Sequence, residues 1–356
     1  MLKIAYGVQG TGNGHITRAR IMASAFAERN DVQVDYIFSG RPASQYFDMQ
    51  AFEGYQLFDG LSFSTQRGRV NHFQTLKNAR PRAFLRDIKA LDLSGYDLVL
   101  NDFEPVTAWA AKRAQVTSMS ISHQAAFALG APKTGAGIID KLIMRYFAPS
   151  DIKLGVHWYH FGHSIMPPFI HDVPVSSASH TDYLVYLPFE SRQDISNMLE
   201  PLSDVTFSCF HPQVNSIQRE GHITWHPTAV APFQSALKQC KGVIGNAGFE
   251  LSSEALKLGK KLLIKPLAGQ FEQLSNVHTL MQLGLCDAMF QLDTDAVEEW
   301  LSSAGIEPII FPNNPHALID WLVKREWDNP QHICEYLWKQ VKFPEHTRQR
   351  LMTLAF

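Results

Sequence analysis

Residues 242–276 read GVIGNAGFELSSEALKLGKKLLIKPLAGQFEQLSN. An apolar run ends at Gly245, and Asn246, Ala247 and Gly248 make a turn of small residues. From Phe249 the spacing turns helical, with Glu250 and Glu254 one turn apart. A strand, a tight turn and a helix in that order leave the first N–H groups of the helix free. They also point its positive dipole end outward, which suits a phosphate. Glu254 lies deeper in the helix, where a carboxylate can accept bonds from ribose hydroxyls. The next strand ends at Pro266, and Gly269-Gln270-Phe271-Glu272-Gln273 follows in a position to meet sugar hydroxyls.

The same alternation extends in both directions. Strands are expected at 183–187, 205–210, 242–245 and 261–265, and helices at 191–199, 230–239, 249–258 and 272–283. The first half repeats the texture. Residues 2–8 form a buried strand running into Gly10, Gly12 and Gly14, and a helix follows from His15 to Arg29. Further strands fall at 32–39, 55–58, 98–101 and 117–122. Between the halves, IMPPFIHDVPVSSASH at 165–180 has three prolines, a serine cluster and no periodicity, which reads as a linker. The expected fold is α/β, with two Rossmann-like doubly wound domains and a cleft between them. They span residues 1–165 and 181–335. Residues 336–356 form terminal helices, with a return to the N-terminal domain left open.

Composition agrees with this plan. The 356 residues suffice for two domains, and 45% hydrophobic against 19% charged residues excludes a disordered chain. A net charge of −2 gives no reason to expect nucleic acid as a partner. Four widely spaced cysteines, Cys209, Cys240, Cys286 and Cys334, suggest neither a zinc cage nor a disulfide framework, and fit a cytoplasmic protein. No apolar run is long enough to span a membrane.

Ligands in such sheets bind beyond the carboxyl ends of the strands. At the first of these ends lies Gly10-Thr11-Gly12-Asn13-Gly14-His15. A dinucleotide fingerprint needs glycine where His15 stands, so NAD is disfavoured. Asp102 and Glu104 end the strand in YDLVLNDFEP. Asp102 is either a helix cap or a partner for His15 across the top of the sheet. In the second case the pair can act as a general base on a hydroxyl. His123 and Gln124 follow another strand end and face the presumed cleft.

These stretches together resemble the GT-B glycosyltransferases. Residues 242–276 are similar to the donor-binding signature of UDP-glycosyltransferases and to the matching region of MurG-like enzymes, and GNGHITRA at 12–19 resembles their glycine loop. The resemblance implies an N-terminal domain that faces the acceptor and a C-terminal domain that binds the nucleotide sugar. Gly245, Asn246, Ala247, Gly248 and Phe249 would meet the diphosphate, Glu254 the ribose, and Glu272 with Gln273 the donor sugar. His15 and Asp102 would form the catalytic base dyad. Gly12, Asn13, Gly14, Glu104, His123 and Gln124 would line the cleft or the acceptor site. Two departures stand out. Asn246 replaces a phosphate-binding histidine common in the family, and Glu250 replaces an asparagine. An acid beside a diphosphate is unfavourable unless it points away. The paired glutamates of retaining relatives, eight residues apart, are absent, which favours inversion.

The expected function is therefore inverting, metal-independent transfer of a hexosyl group from a UDP-sugar to an acceptor hydroxyl. No cofactor is expected beyond the donor itself. The acceptor would be a glycan or lipid-linked molecule in cell-surface glycan or glycolipid synthesis. The rivals are a nucleotide-sugar epimerase of the same fold and a non-catalytic nucleotide-sugar-binding protein. Arg67, Arg69, Lys77, Arg80, Arg82, Arg86 and Lys89 face one acid, Asp87. They make either a solvated face or a contact with an anionic acceptor or the inner face of the plasma membrane. His157, His160 and His163 recur in HWYHFGHS, and would converge on a metal only if that stretch were helical.

Overall fold

The computed structural model describes residues 1–11, 13–46, 48–61, 65–66, 69–70, 80–170, 182–312 and 315–354. The N-terminal sheet contains β1 (Leu2–Gln9), β2 (Val32–Ser39) and β3 (Gln56–Phe58). The short strands β4 (Thr65–Gln66) and β5 (Arg69–Val70) pair antiparallel apart from it. The sheet continues with β6 (Leu98–Asp102), β7 (Ser118–Ser122), β8 (Ile152–Val156) and β9 (Ile165–Met166). Its order is β3-β2-β1-β6-β7-β8-β9, and every pairing is parallel. Strands buried on both faces explain the near-continuous apolar runs that mark β1 and β6 in the sequence.

The C-terminal sheet is built the same way. Its strands are β10 (Asp182–Tyr186), β11 (Thr206–Phe210), β12 (Gln218–Glu220), β13 (Ile223–His226), β14 (Gly242–Asn246), β15 (Lys261–Lys265) and β16 (Asp287–Ala288). The order is β12-β13-β11-β10-β14-β15-β16, with only the edge strand β12 antiparallel. In each sheet the chain order reverses at a central strand. These places are β1 beside β6 and β10 beside β14. A crevice opens at the carboxyl ends of strands at such a reversal. Register puts Val8 opposite Asp102 and Tyr186 opposite Gly245, so both glycine turns leave their sheets there.

The linker and the terminal helices differ from expectation. Strand β9 lies inside the stretch read as linker, and the rest of that stretch from 171 onward is outside the described residues. The boundary expected at 335 cuts the helix Pro330–Trp338. That helix packs on β9, where Trp338 Nε1 donates to the Ile165 carbonyl at 2.7 Å. The preceding helix, His316–Lys324, lies against the helix Asn13–Ala27, tied by Arg29 to Asp320 and followed by Arg325 to Asp97 at 2.8 Å. The chain thus returns to the N-terminal half before residue 336. The last described helix, Glu345–Thr353, then crosses back onto Phe271–Leu283 of the C-terminal half. One apolar cluster runs from Ile4 and Ile16 through Trp158 and Phe249 to Leu256, so the halves share a core.

Candidate active site

The helix Asn13–Ala27 starts directly after the glycine turn, and Asp102 is the last residue of β6. His15 Nδ1 lies 2.8 Å from Asp102 Oδ1. Donation from Nδ1 to the carboxylate leaves Nε2 as the acceptor. The His15 side chain is 14% exposed and that of Asp102 is 0%, so the imidazole is accessible and its partner is not. At Phe103 the backbone takes a left-handed φ of 55°. This sharp turn lets the neighbouring acids face opposite ways, and Phe103 is held there by Phe147, with ring centroids 4.8 Å apart.

The two acids therefore have different jobs. Glu104, expected in the cleft, is fully buried and caps the helix Pro105–Ala114, accepting from Val106 N at 2.8 Å and Thr107 N at 2.6 Å. Ser39 and Thr107 hydroxyls take its remaining lone pairs at 2.5 and 2.6 Å. Burial raises its carboxyl above the usual range, and these hydrogen bonds pull the other way. The cap reading considered for Asp102 belongs to Glu104.

Sequence reasoning missed Arg18. It lies one turn beyond His15, on the same helix face, and is 5% exposed. Its Nε donates to Asp102 Oδ2 at 2.9 Å and its Nη2 to Oδ1 at 2.8 Å, a bidentate pair. Its Nη1 reaches across the cleft to Glu250 Oε1 at 2.5 Å. Burial alone would raise the Asp102 carboxyl, but Arg18 and then His15 outweigh it and hold Asp102 below the usual range. The available signal was a buried-face arginine three residues after the histidine, in HITR.

On the C-terminal side, β14 runs one residue further than expected, to Asn246, and Ala247 and Gly248 turn the chain into the helix Phe249–Lys257. The residue at its start, Gly248, provides no side-chain cap. Asn246 donates through Nδ2 to the Lys265 carbonyl at 3.0 Å, while its buried Oδ1 has no partner among the described residues. Glu254 is half-buried, accepts from Gln234 at 3.0 Å, and is pushed up to about 7 by burial. Gln273 is buried and its Oε1 accepts from Leu267 N at 2.9 Å, so it braces the loop before its own helix. Glu272 accepts from Gln124 Nε2 of the other half at 3.0 Å.

His123, expected to face a ligand, is buried between the halves. Its Nδ1 lies 2.9 Å from the Val156 carbonyl and its Nε2 2.8 Å from Asn276 Oδ1, and its ring stacks on Phe249 at 4.1 Å. Both ring nitrogens and one face are occupied, which makes it an interdomain strut. Gly14 meets Glu250 so closely that a Cβ there would lie 2.7 Å from Glu250 Cγ. Asn13 accepts from Arg41 at 3.0 Å, and Gly12 lies outside the described residues.

The remaining sequence features are also placed. Residues 157–163 form turns, not a helix, so the three histidines diverge. His157 is buried among Phe127, Trp158 and Phe161, while His160 packs on Trp338. Among the described residues no three ligand side chains are grouped to hold a metal. The expectation of metal independence left out of account one Asp-x-Asp triplet, Asp293-Thr294-Asp295. There Asp293 caps the helix Thr294–Ser302. In the basic stretch, Arg80, Arg82, Arg86 and Lys89 are exposed, Asp87 is buried, and Arg67, Lys77 and the Arg69 side chain are outside what is described.

Two switch-point crevices facing each other, each with a glycine turn and a helix start, define the GT-B class of glycosyltransferase. Residues 2–304 match the family model described as glycosyl transferase family 1, and the chain belongs to that family. No curated protein sequence matches. Solved structures share the fold over nearly the whole length. The glycosyltransferase SnogD from Streptomyces nogalater is 13% identical with a TM-score of 0.54, covering 99% of each chain. MurG of Acinetobacter baumannii is 13% identical with a TM-score of 0.52, covering 99% of this chain and 98% of that one. LpCGTa, solved in complex with UDP, is 13% identical with a TM-score of 0.57 over the same shares.

Proposed function

We propose that this glycosyltransferase moves a hexosyl group from a UDP-sugar to an acceptor hydroxyl by a single displacement with inversion, without a metal ion. The observation that carries the reading is His15, fixed through Nδ1 by Asp102, on the helix whose Gly14 abuts Glu250 in the first turn of the helix Phe249–Lys257. The acceptor oxygen attacks the anomeric carbon and gives its proton to His15 Nε2. The bond from that carbon to the diphosphate breaks, and the leaving oxygen takes the electron pair. N–H groups at the helix start stabilise the charge that develops there. Asn246 Oδ1 has no partner to give up, and the Glu254 carboxylate regains hydrogen bonds from ribose hydroxyls. Glu272, which accepts from Gln124 of the other half, would meet the donor sugar. Neighbours solved with UDP support the nucleotide, and full activity after exhaustive chelation is the expected result.

The acceptor reading is a glycan or lipid-linked molecule at the inner face of the plasma membrane. The helix Ile138–Tyr146 exposes Ile138, Ile139, Leu142 and Tyr146 beside the cations Lys141 and Arg145. Trp109 of the helix Pro105–Ala114 donates to the Tyr146 carbonyl at 3.1 Å, and the basic helix Pro81–Ala90 packs on that same element. Apolar and basic groups together suit a peripheral anionic surface. Among the described residues no helix is long and apolar enough to cross a membrane. A thermal-shift screen of nucleotide sugars tests the donor. UDP-sugars should raise the melting temperature, and a response to none of them contradicts the reading.

A further inference from the structure

The position of Glu250 is a puzzle for any anionic donor. It stands in the first turn of the helix whose free N–H groups would hold the diphosphate, and a carboxylate there repels phosphate. The structure supplies the compensation from the other half. Arg18 is buried, reaches Glu250 at 2.5 Å, and holds Asp102 with its other two nitrogens. Gly14 lets the two helices approach closely enough for this contact. The charges of Asp102, Arg18 and Glu250 sum to one negative charge, where two unpaired carboxylates would leave two.

We propose that Arg18 is a positioning residue with two tasks, one on each side of the cleft. Its charge masks Glu250, so that a diphosphate can sit at the start of the helix Phe249–Lys257. Its bidentate grip fixes Asp102, and through it the orientation of His15. The glutamate that departs from the family pattern is thus tolerated because an arginine from the opposite half neutralises it. This rests on the donor reading above and names a residue that serves it.

The two tasks separate by geometry. A lysine at position 18 keeps a charge but cannot form the planar bidentate fork. The Arg18→Met variant removes both, and Arg18→Met combined with Glu250→Asn removes the cation together with the acid that needs it. UDP affinity by calorimetry reads the first task, and kcat for UDP-hexose turnover reads the second. Arg18→Met should lose about tenfold or more in UDP affinity. The double variant should regain UDP affinity to near the wild-type value, yet keep a low kcat because Asp102 stays unclamped. Arg18→Lys should bind UDP nearly as well as wild type and lose kcat. Should Arg18→Met not fold, the lysine and double variants carry the same contrast. UDP affinity that stays low in the double variant, or kcat that recovers with it, would overturn the proposal. Wild-type protein that fails to bind UDP would overturn the donor reading and this inference with it. Wild-type binding that Arg18→Met leaves unchanged would overturn this inference alone.

Discussion

The two sides of the cleft differ in how their acids are held. On the N-terminal side, Asp102 receives His15 and the Nε and Nη2 of Arg18, and Glu104 is enclosed by two backbone N–H groups and two hydroxyls. On the C-terminal side, Gly248 gives the helix start no side-chain cap, Asn246 Oδ1 has no partner among the described residues, and burial pushes Glu254 up to about 7. Among the described residues, orphaned buried atoms occur on both sides, Tyr6 Oη and Gln9 Oε1 on the first and Asn246 Oδ1 on the second, so the contrast lies in the acids: Asp102 and Glu104 are held by several donors each, whereas Glu254 has Gln234 beside it. Pre-oriented groups lower the reorganisation needed in the transition state.

Substitutions should separate the two sides. The largest effect is expected on the N-terminal side. His15→Ala should lower turnover by roughly 10²–10⁴-fold while UDP affinity by calorimetry stays unchanged, and Asp102→Asn should follow less severely. If His15→Ala instead raises the acceptor KM and spares kcat, the histidine binds the acceptor and the contrast fails. Next comes the C-terminal side. Glu254→Ala should weaken UDP binding by about tenfold or more, with the fold intact. The same carboxyl has a pH signature. Its folded value of about 7 lies above the unfolded value of about 4.3, so the protonated form is favoured by folding. The stability this contributes is complete below about pH 4.3 and is lost as pH rises through about 7. Thermal unfolding should therefore show Glu254→Gln close to wild type at pH 4 and more stable than wild type at pH 8.

Smaller effects sharpen the boundary of the site. Glu104→Ala should cost about 1–3 kcal/mol of stability through the lost cap and its orphaned hydroxyls, with UDP affinity unaltered. An unaltered melting temperature with altered acceptor kinetics would put Glu104 back in the cleft. The smallest effect belongs to the surface. Charge reversal at Arg80 and Arg82 should leave UDP affinity alone and reduce binding to anionic vesicles at low salt. Vesicle binding that does not change would make that stretch a solvated face.

Legibility in the sequence followed the local signals. The strands β1, β2, β6, β14 and β15 are runs of five to eight mostly apolar residues, and each falls close to its expected place. The pairing of His15 with Asp102 was readable because His15 opens the helix that follows β1 and Asp102 ends β6, the strand beside β1 in one parallel sheet. Strands β8 and β9 were missed, one being short with a lysine inside it and the other only two residues long amid prolines. The crossing of the helices His316–Lys324 and Pro330–Trp338 to the N-terminal half is a tertiary fact with no local mark. Glu104 and His123 were misplaced for a similar reason. A polar residue at a strand end looks the same in sequence whether it faces the cleft or turns inward to cap a helix or bridge the halves. Arg18 escaped notice because its partners lie 84 and 232 residues away.

The central claim is a single displacement assisted by His15, and the configuration of the product tests it most directly. Proton NMR should follow the sugar released or transferred from an α-linked UDP-hexose. The account predicts that the first product has the β configuration and that UDP appears in step with it. A first product that keeps the α configuration, or a sugar altered in place with no UDP released, would contradict it.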